Sequence, residues 1–104
     1  MKIIEEISKD IEKEISRAEC YAKRAIEYKE KYPALAERYF KAATEGVTNI
    51  TNNFHPGVVE IIDAYKKEKG EVPEHMQILY NILHKSHIEN LAAVKGMLAL
   101  YKEM

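Results

Sequence analysis

The sequence predicts an all-α protein, an elongated up-down-up bundle of three long helices. Apolar residues recur at spacings of three and four along three segments, a pattern typical of helices that bury one face. Two breaks, at Tyr32-Pro33 and at Gly70-Glu71-Val72-Pro73, separate these segments. The 104 residues are 46% hydrophobic and 32% charged, which suits one globular domain over residues 1–104.

The first helix is predicted over residues 3–31. Its apolar stripe continues without a Gly or Pro until the Tyr32-Pro33 break, where Pro33 suits the first turn of a new helix. Tyr21 lies beside this stripe, whose members are Ile4, Ile7, Ile11, Ile15, Ala18, Ala22 and Ala25.

The second segment, residues 34–69, is predicted to be one long helix with a kink or break near Asn53–Pro56. Residues 44–57 are rich in Thr, Asn and Gly and include Pro56, which disfavours a helix locally. The apolar stripe nevertheless continues through this stretch, and a loop has no reason to keep a helical period. Its members are Ala36, Phe40, Ala43, Val47, Ile50, Phe54, Val58, Ile61 and Tyr65.

The third helix is predicted over residues 73–102, after Gly70 ends the second. Its stripe contains Met76, Leu79, Leu83, His87, Asn90, Val94, Met97 and Tyr101. Across the three helices, the residues predicted to be buried are Ile11, Ala18, Phe40, Val47, Phe54, Val58, Leu83 and Val94.

Composition excludes several classes of function. A net charge of −1 gives no basic surface for nucleic acid or anionic lipid, and no apolar run approaches the ~20 residues of a membrane span. One cysteine excludes an intramolecular disulfide, and the acidic residues Glu5 and Glu6 are unlike a secretory signal. The expected location is therefore the cytoplasm.

Polar residues inside the apolar stripes are the candidate functional residues, because burying a polar group is costly without a partner. At 100° per residue, Glu14 falls between Ile7 and Tyr21 on the circumference of the first helix, inside its apolar arc. His87 lies in the third stripe, with Ser86 and Asn90 beside it.

Two interpretations of these residues stay open. Glu14 and His87 could meet across the bundle as metal ligands, since carboxylate and imidazole bind iron, manganese or zinc in helical bundles. Alternatively, they could form a buried hydrogen-bonded layer together with Tyr21, Ser86 and Asn90.

The spacing of Glu14 and Tyr21 resembles the first helix of ferritin-like proteins of the rubrerythrin and bacterioferritin type. In that family a core glutamate binds iron, and a tyrosine two turns later packs beneath the site. The resemblance implies a Glu-x-x-His pair about 33 residues after the first glutamate. Those positions are Val47 and Ile50 in this sequence, so the resemblance implies a ferritin-like fold that has lost metal ligands.

The expected function is therefore that of a non-enzymatic, self-associating ferritin-like bundle that needs no cofactor. Three helices leave one wall of a four-helix fold missing, so we expect a homo-oligomer, and specifically a dimer. The alternative is a protein that binds or oxidises iron through Glu14 and His87 across a dimer interface. A third possibility is an adaptor that binds another protein through an exposed helix face.

Overall fold

The computed structural model describes residues 2–104, apart from the side chain of Leu79. Helix α1 spans Lys2–Tyr28, α2 spans Pro33–Asn49, α3 spans His55–Lys69 and α4 spans Glu74–Glu103. A π-helical turn, Ile50–Phe54, joins α2 directly to α3. Helices account for 91% of the described residues and no strand occurs among them, so the predicted all-α class is confirmed.

Helix α1 ends at Tyr28, three residues before the predicted end. The cause is Pro33, the first residue of α2, since the residue before a proline avoids the helical conformation. Tyr32 accordingly has φ −131° and ψ 65°, and its N–H donates to the carbonyl of Tyr28 at 2.8 Å. The chain must therefore leave the helix before it reaches Pro33.

The second predicted helix is continuous, and its expected irregularity is the π-helical turn. The N–H of His55 donates to the carbonyl of Ile50, five residues back rather than four. The turn directly precedes Pro56, which is near the start of α3. A proline inside a regular helix lacks one hydrogen bond and its ring collides with the carbonyl four residues earlier, and a wider turn relieves that collision. A helix-disrupting sequence is thus accommodated by one wide turn instead of a loop.

Gly70 ends α3 as predicted. Its φ of +90° lies in the left-handed region that favours glycine, and its N–H donates to the carbonyl of Lys66 at 2.8 Å. Helix α4 then begins at Glu74, one residue after the predicted start, and runs to Glu103.

The core lies along α1, which packs against both α2 and α4. Of the predicted core residues, Ile11, Ala18, Val47, Val58 and Val94 are buried. Three larger side chains are only half-buried, because three helices cover the core incompletely; these are Phe40, Phe54 and Leu83.

The C-terminal end of α4 packs between α1 and α2. The ring of Tyr101 stacks on Phe40 with centroids 4.6 Å apart, and its hydroxyl donates to Glu37 Oε2 at 3.0 Å. The ammonium group of Lys29 donates to the Tyr101 carbonyl. These contacts hold one end of the molecule together.

The molecule is elongated, as predicted. It measures 57 × 19 × 18 Å, and its radius of gyration is 16.5 Å, against about 13 Å for a compact chain of this length. Its accessible surface of 6998 Å² exceeds the roughly 6,000 Å² typical of a folded monomer of 12.0 kDa. The single chain therefore exposes roughly 1,000 Å² more than a compact monomer would.

Candidate functional site

Glu14 lies in a groove between α1 and α2. The two helices approach closely at Gly46, where an added Cβ would lie 3.1 Å from Glu14 Oε1 and 3.3 Å from the Ala18 methyl group. The groove is open to solvent, and its other lining residues are Arg17, Tyr21, Ala42, Glu45 and Asn49. Glu14 is half-buried there.

Tyr21 lines the same groove two turns after Glu14, as its spacing predicts. Its ring contacts that of Tyr39 on α2, with centroids 5.6 Å apart. The two residues that carry the resemblance to ferritin-like proteins therefore share a surface between α1 and α2.

His87 lies elsewhere. It is a residue of α4, and its side chain packs against the N-terminal part of α1. It is 3% exposed, and its Nε2 lies 3.2 Å from the Ser8 hydroxyl. The carboxylate of Glu12 is 3.8 Å from the same nitrogen. Glu14 and His87 therefore do not contact each other within one chain, because Glu14 lies in the groove between α1 and α2 and His87 lies against Ser8.

Two members of the predicted polar layer are not buried. Ser86 and Asn90 are exposed, which corrects their placement inside the bundle. The contact strip of α4 follows His87, Leu91 and Val94, which are buried. Asn90 falls at the edge of this strip, where α1 does not cover it.

Val47 and Ile50, the positions at which the resemblance implies metal ligands, belong to the apolar core. Ile50 is 0% exposed, and Val47 is also buried. Hydrophobic packing fills the place where the resemblance implies a metal-binding pair.

Three histidines gather near the N-terminal part of α1, one from the start of α3 and two from the middle of α4. The ring of His55 lies 5.2 Å from that of His84 and 6.4 Å from that of His87, measured between centroids. Tyr80 stacks on His84 at 5.5 Å. We call His55, His84 and His87 the histidine cluster.

The histidine cluster borders a small cavity of about 20 Å³, room for roughly one water molecule. Apolar side chains of Ile4, Ile11, Val58 and Leu83 form much of its wall. His55 Nε2 is buried and has no hydrogen-bond partner among the described residues. Protonation of His55 would therefore bury a positive charge without a hydrogen-bond acceptor at Nε2, which costs free energy.

Sequence reasoning missed His55 as a member of this cluster and Ser8 as the hydrogen-bond partner of His87. Ser8 had a detectable signal, because Ile4, Ser8, Ile11 and Ile15 follow the alternating spacing of four and three that continues along α1. His55 had none, since its place depends on how the π-helical turn directs the start of α3.

The pKa values of two cluster histidines are lowered by their surroundings. Burial is the main cause for His55, followed by repulsion from His84, His87 and Lys95. Burial also lowers the pKa of His87, although the neighbouring carboxylate of Glu12 partly opposes this and His84 adds repulsion. Both imidazoles therefore favour the neutral form in the folded protein.

We expect the protein to lose stability as the pH falls below about 7. The unfolded chain takes up protons near pH 6.5, whereas folded His55 and His87 resist protonation. The free energy of unfolding should fall by at most about 1.4 kcal/mol per pH unit for each histidine, between pH 6.5 and the lowered pKa values. Urea unfolding at pH 5 to 8 measures this slope.

Replacing histidines one at a time identifies which ones cause the slope. His55→Gln should reduce it, whereas His75→Gln, at an exposed position of α4, should leave it unchanged. An equal slope in the wild type and in His55→Gln would contradict the assignment to His55.

Among residues 2–104, no group of three or more His, Cys, Asp or Glu side chains is arranged to hold a metal ion. Within the same residues, no helix is both long and apolar enough to cross a membrane. No family model, curated protein or solved structure matches this chain.

Proposed function

We propose that this protein is a non-enzymatic, self-associating up-down-up helical bundle, whose ferritin-like site has been replaced by apolar packing. The observation that carries the proposal is the large exposed surface of the single chain, 6998 Å² on an elongated molecule. A reducing compartment such as the cytoplasm suits its single exposed cysteine, Cys20.

Self-association accounts for the excess surface. A stable interface between two proteins buries about 800 Å² on each partner, close to the roughly 1,000 Å² by which this chain exceeds a compact monomer. Large apolar side chains contribute to the exposed surface on several helices, among them Leu35, Val59, Ile78, Ile82 and Ile88. A second chain that covers some of them would supply the wall that three helices lack.

The non-enzymatic part of the proposal is supported by the α1–α2 groove and the core beneath it. Glu14 and Tyr21 keep the spacing of the ferritin-like motif, but Val47 and Ile50 are apolar and buried. Apolar packing in place of a buried charged site is often neutral or stabilising, so the fold can persist without a metal.

Solution mass tests the proposal directly. We expect sedimentation equilibrium at micromolar concentration to give a dimer or larger species, with more than roughly 1,200 Å² buried in total. Elemental analysis of the same sample should find no stoichiometric iron, manganese or zinc. A monodisperse monomer would refute self-association, and tightly bound metal would refute the loss of the site.

A further inference from the structure

We infer that two copies of this chain associate in antiparallel fashion through the outward face of α4. This inference rests on the proposed self-association and names the surface responsible for it. Between residues 78 and 96, the outward face is a strip about 80° wide on the helix circumference at 3.6 residues per turn. Its residues are Ile78, Ile82, Lys85, Glu89, Ala92 and Gly96.

The outward face is unusual for a solvated helix surface. Ile78 and Ile82 are 52% and 62% exposed, one turn apart, at one end of the face. Ala92 and Gly96 are exposed, also one turn apart, at the other end. From Ile78 to Gly96, about 27 Å, large apolar side chains thus lie at one end and the smallest residues at the other. Leu100, which is also exposed, lies one turn beyond Gly96.

An antiparallel two-fold arrangement matches these ends to each other. When two α4 helices cross with Lys85 opposite Glu89 of the second copy, Ile82 falls opposite Ala92 and Ile78 falls opposite Gly96. Each isoleucine then packs where the facing helix has little side-chain volume, so the backbones can approach closely. The same contacts occur twice, as a two-fold interface requires.

Charge selects the same register. Lys85 and Glu89 lie in the middle of the outward face, and antiparallel pairing gives two Lys–Glu pairs across the axis. A register shifted so that Glu89 lies on the axis would place two carboxylates together. Parallel pairing would place lysine against lysine and glycine against glycine, with repulsion at one point and a gap at another.

Gly96, on the outward face, can be replaced by a larger residue without a clash inside its own chain. A Cβ at Gly96 meets no atom within 4 Å, so a side chain there would extend into solvent in the single chain. In the dimer the same side chain would meet Ile78 of the second copy. A substitution at Gly96 can therefore block association without disturbing the fold.

Charge reversal tests the register. We expect Lys85→Glu or Glu89→Lys alone to raise the dimer dissociation constant about tenfold or more, because each converts two attractive pairs into two repulsive ones. The double variant Lys85→Glu, Glu89→Lys should return the constant to within about threefold of the wild type. Sedimentation equilibrium at low ionic strength provides the measurement, and circular dichroism checks that each variant is folded.

The matched control is Lys23→Glu. Lys23 forms an exposed ion pair with Glu19 at 3.0 Å, also four residues apart on one helix, but it lies on α1. This variant should leave the dissociation constant unchanged. A rise equal to that of Lys85→Glu would overturn the assignment to α4.

Gly96→Gln provides a second, charge-independent test. It should raise the dissociation constant at least tenfold, whereas Gly57→Gln on α3, where an added Cβ also meets nothing within 4 Å, should not. If the wild type is a dimer and neither the charge reversals nor Gly96→Gln raises the dissociation constant, this interface is wrong but self-association still holds. A wild-type monomer would overturn the proposed function itself.

Discussion

The double substitution Val47→Glu, Ile50→His is expected to lower the free energy of unfolding by about 3 kcal/mol or more in the absence of metal. Both residues belong to the apolar core, and Ile50 is 0% exposed. An unpaired buried polar group costs about 1–3 kcal/mol, and a buried charge costs more. Thermal melting of both proteins with a chelator present measures the loss.

Added ferrous or zinc ion is expected to return part of that stability to the double variant. The Glu14 carboxylate lies against Gly46. Position 50 begins the π-helical turn, one helical turn beyond position 46 on the same side of the helix. The introduced groups would join Glu14 in a set of carboxylate and imidazole ligands. An ion that binds only the folded state raises its stability by mass action.

A matched variant separates metal binding from general disruption. Val47→Gln, Ile50→Asn adds polar groups of similar size that are poor ligands, so it should lose stability but show no response to metal. A double variant Val47→Glu, Ile50→His that melts at the same temperature with and without metal would refute the ferritin-like alignment of these two positions.

Helical periodicity predicted the elements and most of the core because both depend on local spacing. The stripe of α1 is buried from Ile4 to Ala25, as expected from its alternating spacing. After the π-helical turn Val58 is buried as predicted, but farther along α3 Ile62 rather than Ile61 is buried. A π turn adds one residue to the helical repeat, which changes the phase of the residues that follow it, and the sequence predicts an irregularity near this point but not its type.

The candidate site was less predictable, because it depends on contacts between helices. A helical-wheel position places Glu14 on the inner side of α1 but does not say which helix it faces. Because Gly46 has no side chain, α2 can approach α1 closely at this position, and Glu14 lies against α2. His87 instead meets Ser8, 79 residues earlier in the chain, because α4 returns along the other side of α1.

Ile11→Ala is expected to produce the largest loss of stability from a single truncation. Ile11 is 1% exposed, belongs to the core and lines the cavity beside the histidine cluster. Removing three carbon atoms there loses their transfer free energy and enlarges a cavity that already exists. The expected loss is about 2–5 kcal/mol, which for a domain of this size lowers the melting temperature by about 10–30 °C.

Ile3→Ala is the matched control on the same helix, because Ile3 is 46% exposed and its truncation leaves no enclosed space. It should cost less than about 1 kcal/mol by urea unfolding. Equal losses from the two truncations would show that the N-terminal half of α1 is not packed into the bundle. In that case Ser8 could not hold His87 either, and the histidine cluster would lose its contact with α1.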